Sequence, residues 1–159
     1  MDKQLRIEEA RRRFAQSLVG RWSTVSHDGF SMVMDQIWEI YPDGTGQFTD
    51  TGPFRYPKSQ MKFQWRQPES FVFNLRLTES IAYQPDDAFE LDEEDKVWTA
   101  IRYDFIVVPP ELAISIGLID VAQAGRKYCG FYDSLAPLSY RGPVEEQAVI
   151  DMPAQPSLC

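Results

Sequence analysis

Residue types that usually carry chemistry or metals are scarce. The 159-residue chain holds one histidine, His27, and two cysteines, Cys129 and Cys159. Two thiols, one of them the last residue of a Pro-containing segment, do not make a disulfide framework. His27 is followed directly by Asp28. Neighbours on a strand point to opposite faces, so the two do not form a base and its orienting carboxylate. No G-x-S-x-G elbow, H-E-x-x-H helix or Cys-x-x-Cys pair occurs, so nucleophilic and zinc chemistry lack their parts. The acidic stretch from Asp86 to Asp95 lacks the alternating ligands and central glycine of a calcium loop. The expectation is therefore no metal, no cofactor and no assigned catalytic residue, with enzyme activity disfavoured but left open.

Positive charge is also in short supply. Lys and Arg number 16 against 24 Asp and Glu, a net charge of −8 and a pI near 4.6. Such a surface repels phosphate backbones and anionic lipid, which disfavours nucleic acid and membrane surfaces as partners and leaves room for a basic protein partner. No run is long and apolar enough to span a bilayer; the richest, Phe105 to Val121, is broken by Pro109, Pro110, Glu111 and Asp120. The N-terminus has no signal-peptide core. A cytoplasmic protein is the resulting expectation, with its oligomeric state undetermined.

Aromatic residues, in contrast, make up 13% of the chain, and these favour half-buried pleated surfaces. Asp2 to Leu18 predicts a helix, with Ile7, Ala10, Phe14 and Leu18 along one stripe. Glu8 and Glu9 stand four residues before Arg12 and Arg13, and Gly20 supplies a stop. Strands are predicted from Arg21, from Met32 to Tyr41 and from Thr45 to Thr49, with Pro42-Asp43-Gly44 as a turn. Met61, Phe63 and Trp65 alternate with polar residues, as do Phe71, Phe73, Leu75 and Leu77 across Gln67-Pro68-Glu69, a hairpin. Val97 to Val108 is a long strand, Leu112 to Ile119 either a buried strand or a short helix, and Lys127 to Tyr132 with Leu135 to Tyr140 a last hairpin. Short strands joined by tight turns along the whole chain imply an all-β, antiparallel up-and-down β-barrel with a short N-terminal helix. It spans residues 1–142, and 143–159 form a tail.

The residues Leu18-Val19-Gly20-Arg21-Trp22 match the G-x-W pattern found where a short helix leads into a first strand. With Trp38 to Gly46, Phe63-Gln64-Trp65 and a basic Arg141 near the end, the chain resembles the lipocalin and fatty-acid-binding-protein (calycin) superfamily, in particular small bacterial lipocalin-like domains. The middle T-D-Y type triplet of lipocalins is missing. The resemblance implies a barrel that binds a small hydrophobic or amphipathic ligand, with Gly20, Trp22 and Arg141 structural. Trp22 is expected to plug the floor with Arg141 stacked on its face.

Met32, Met34, Trp38, Phe63, Trp65, Phe73, Tyr103 and Tyr128 are the candidate ligand-lining residues, and they serve equally as core if the barrel is filled. Arg76 and Arg102 are candidates for a carboxylate-binding role if they point inward, against a solvated outer face otherwise. Two other functions remain open: an acidic protein-binding module of the inhibitor or immunity type with a packed barrel, and an enzyme that shapes a substrate in its cavity.

Overall fold

The computed structural model describes residues 2–24, 35–51, 57–83, 90–108, 111–118 and 138–144. Helix α1 (Lys3–Phe14) leads into eight strands: β1 (Gly20–Thr24), β2 (Asp35–Ile40), β3 (Thr45–Thr51), β4 (Pro57–Glu69), β5 (Val72–Ala82), β6 (Thr99–Val108), β7 (Glu111–Leu118) and β8 (Leu138–Gly142). Each pairs antiparallel with the next, and β8 pairs with β1 to close the barrel. Closure satisfies the strand edges, so the up-and-down barrel expected from the alternation is present. The segment from Leu112, ambiguous by periodicity, is a strand, because β6 and β8 flank it on both sides. The expected strand Lys127 to Tyr132, Met32 to Met34, residues 86–89 of the acidic stretch and the tail beyond Val144 lie outside the described residues.

The inward side of each strand follows from register. Trp22 faces Trp38, Trp38 faces Phe48, and Phe48 faces Met61. Paired residues of antiparallel strands share a face, so these four form one inner layer. Strands β2, β4 and β6 end on the side that α1 covers, and the turns after β2 and β4 are short. Strands β1, β3, β5 and β7 end on the opposite side, which is called the mouth below.

Helix α1 is shorter than its apolar stripe predicts. Asp2 caps its start, accepting from the Gln4 N–H at 3.4 Å, and Arg11, Arg12 and Arg13 complement the dipole in its last turn. Its end is set by the barrel. The Tyr103 hydroxyl donates to the Phe14 carbonyl at 2.5 Å and lies 3.1 Å from that of Ala15. Gln67 Nε2 donates to Ala15 O at 3.0 Å and also to the Tyr103 hydroxyl. The Phe71 N–H reaches Ala15 O at 2.9 Å, with Phe71 itself at a positive φ of 63°. Donors from three barrel segments thus replace the intrahelical bonds that a further turn would have made.

Gly20 is accordingly not the helix stop. It opens β1 at φ 144°, and a Cβ there would lie 2.6 Å from Tyr140 Cε1. Its function is close approach of strand to ring. Trp22 plugs the floor as expected, with its indole N–H donating to Leu18 O at 2.8 Å and the rings of Phe14 and Tyr140 each 5.0 Å away, edge-on. The cation over this cluster differs from expectation. Arg13 of α1 holds its guanidinium 4.9 Å from the centres of both Phe14 and Tyr140. Arg141 instead donates to Ser23 Oγ at 2.6 Å on the outer wall, because its neighbour Tyr140 takes the inward position opposite Trp22.

Replacing Tyr103 by Phe removes the donor to Phe14 O and should cost about 1–3 kcal/mol in chemical denaturation. Burial pushes this phenol up to about 12, with the Gln67 bond opposing. Its stabilisation is complete below the ordinary phenol value of 10.0 and is lost as pH rises towards 12, so the Phe variant should lack that part of the wild type's alkaline loss. A second pH effect comes from the bidentate pair of Arg11 with Asp104, at 2.9 Å for both bonds, which holds the Asp104 carboxyl below its usual value of 3.8. Its contribution is present above that value and lost as pH falls through the lowered one. Asp104→Asn should therefore flatten the acid limb of the stability profile, by a small amount because both side chains are about half exposed.

Candidate functional site

The inner surface divides into two zones. Towards the closed end the rings touch: Trp38 stacks on Phe48 at 4.8 Å, Phe63 lies 5.7 Å from Trp38, and Phe73 lies 6.3 Å from Phe63. Trp65 stacks on Phe73 at 5.8 Å, and its indole N–H is shared between Tyr41 O and Thr45 O. Tyr103 and Phe105 carry the cluster on to Phe14 and the plug. This half of the barrel is packed core.

One step nearer the mouth the inward positions become polar. Gln36 stands two residues before Trp38, Asp50 two after Phe48, and Ser59 two before Met61, so each keeps the inward phase of its strand. Register makes Gln36, Asp50 and Ser59 successive cross-strand partners. Trp38 Nε1 donates to Gln36 Oε1 at 3.1 Å, Gln36 Nε2 to Asp50 Oδ1 at 3.0 Å, and Ser59 Oγ to Asp50 Oδ2 at 3.4 Å. Thr24 joins the belt by accepting from the Gln36 N–H at 3.2 Å. A carboxylate therefore sits on the inner wall directly above the stacked rings.

The sequence-derived candidates distribute unevenly over this surface. Trp38, Phe63, Phe73 and Tyr103 are buried inside the barrel, and Trp65 is half-buried there. The Tyr103 hydroxyl is committed to the end of α1. Met32, Met34 and Tyr128 lie outside the described residues. Arg76 and Arg102 stand on the outer wall: Arg76 donates to Gln64 Oε1 at 2.8 Å and Arg102 is exposed. Arg66 and Arg76 lie 4.0 and 5.0 Å from the Trp98 ring centre, anchoring the chain ahead of β6 to the wall. The conditional carboxylate role inside the barrel is thus not available to either Arg76 or Arg102.

The inner carboxylate itself escapes a reading by composition. Thr45 to Thr49 as a strand stops one residue short of Asp50, whereas β3 continues to Thr51. Continuing the alternation from Phe48 would have placed Asp50 inside. Among the described residues, no group of three or more His, Cys, Asp and Glu side chains is arranged to hold a metal ion, and no helix is long and apolar enough to cross a membrane.

No family model, curated protein or solved structure matches the chain.

Proposed function

We propose that the barrel binds a small amphipathic molecule at its mouth, the apolar body against Trp38, Phe48 and Met61 and a hydrogen-bond donor on Asp50. The observation that carries this reading is the inner belt of Gln36, Asp50 and Ser59 set one step above stacked rings. Binding sites are mostly apolar with a few placed polar groups that fix orientation. The sign of the inner charge sets the class of ligand. Among the described residues Asp50 lies inside and Arg76 and Arg102 outside, which favours an amine or hydroxyl head over the carboxylate of a fatty acid. The helix that leads through Gly20-x-Trp22 into an eight-stranded up-and-down barrel supports a place among the calycins, whose members bind such molecules in this way.

Tryptophan fluorescence tests the reading with dodecylamine, dodecanol and dodecanoate, each kept below its micellar range. Saturable quenching is expected, tightest for the amine and weakest for the carboxylate. Asp50→Asn should weaken the amine about tenfold or more, equivalent to about 1.4 kcal/mol, and narrow the gap between the three probes. Absence of saturable quenching, or equal affinity for all three in wild type and variant, would sink the proposal.

A further inference from the structure

The outer wall carries a recess that the inner surface does not share. It lies beside the β2–β3 turn and across β3 and β4, encloses about 540 Å³, and is lined by Tyr41, Pro42, Gln47, Lys62, Phe63 and Gln64 among others. That volume is in the range of small-molecule sites. The turn that frames it is fixed by its own bonds: Gly44 takes φ 91°, the Tyr41 N–H donates to Thr45 O at 2.9 Å, and Asp43 Oδ1 accepts from both the N–H and the hydroxyl of Thr45.

The polar groups of the recess are unequal in how they are used. Gln47 Nε2 donates to Glu39 Oε1 at 2.8 Å, and Glu39, buried although it faces outward, also lies 3.5 Å from Arg21 Nε. That neighbouring carboxylate is therefore already compensated. Among the described residues Lys62 Nζ has a long, half-exposed contact of 4.0 Å with Glu79 as its ion pair, so its charge is weakly engaged. Gln64 spends its carbonyl oxygen on Arg76 and keeps its amide N–H groups as donors. Tyr41 is the most telling, because its hydroxyl is buried and has no hydrogen-bond partner among the described residues. Burial first, and then Glu39, push that phenol up, so it stays a neutral O–H donor. An unpaired buried hydroxyl destabilises a fold, and here it belongs to the lining of the recess.

We propose that this recess is a second binding site, taking a small organic anion with an apolar body: the anionic head meets Lys62 Nζ and the Tyr41 hydroxyl, and the body lies against Pro42 and Val144. Its head-group preference is the reverse of that of the inner surface, because Lys62 and the Tyr41 and Gln64 donors outnumber the one lining carboxylate, Asp43, whose Oδ1 already accepts twice from Thr45. The site is independent of the mouth, and its test does not need the inner site to work.

The probe is 2-naphthoate, titrated into the 15N-labelled full chain and followed by backbone amide shifts. Saturable shifts are expected at Gly44, Thr45, Gln47 and Lys62, with Thr24 and Gln36 unmoved. Lys62→Gln should weaken binding at least tenfold, and Asp50→Asn should leave it unchanged. Tyr41→Phe should weaken binding several-fold while raising the denaturation midpoint, a combination that a merely structural tyrosine would not produce. Shifts confined to the mouth strands, no saturable shifts at all, or a Lys62→Gln variant that binds like the wild type would overturn the proposal.

Discussion

The end of α1 is the constraint on which the rest of the molecule depends. A helix leaves its last carbonyls without partners, and in a short helix that deficit is a large share of its hydrogen bonding. Here the Tyr103 hydroxyl, the Gln67 amide and the Phe71 N–H converge on the carbonyls of Phe14 and Ala15. Because those donors come from β6, the end of β4 and the β4–β5 turn, the helix can end there only when that side of the barrel has formed. The bonds in turn place Phe14 on Trp22 and carry Arg13 over the ring cluster. The end of the barrel beneath α1 is closed off as a consequence.

Sealing one end also explains how the inner surface is graded. The layers nearest α1 are aromatic and in mutual contact, and apolar burial there supplies the core that the fold needs. A few ångströms towards the mouth the same strands, in the same phase, present Gln36, Asp50 and Ser59. Buried polar groups are tolerable when they satisfy one another, and this belt is joined by bonds from the Trp38 indole through to Ser59. The barrel wall thereby carries opposite chemistry on its two faces: an acceptor within, and a lysine with an unpartnered phenol outside.

Much of the architecture is legible in the chain. Alternation in Phe63-Gln64-Trp65 and Phe71 to Leu77, with Pro68 between them, specifies a hairpin whatever surrounds it. Pro42-Asp43-Gly44 specifies the β2–β3 turn, because Gly44 can adopt the positive φ that the turn requires. The candidate sites were less legible. Arg76 and Arg102 have an apolar neighbour on each side, and alternation says that they oppose it but not which face is the interior. Asp50 was hidden because polar residues flank it and a strand end is the least certain part of such a reading. Arg13 could not be matched to Tyr140 by any local pattern, since 127 positions separate them.

What the sequence by itself determined is the class of fold and the position of its punctuation: a helix first, then paired strands, with Trp22 committed to a core position by its size and apolar surface. Those features are local, since period-two alternation and turn chemistry act over a few residues. Tertiary structure decided where α1 stops, which cation covers the plug, which polar residues line the barrel and that Tyr41 buries a hydroxyl without a partner. Each of these depends on cross-strand register and on closure of β8 against β1. Contacts between residues far apart in the chain are set by the geometry of the closed sheet, which no short stretch of sequence contains.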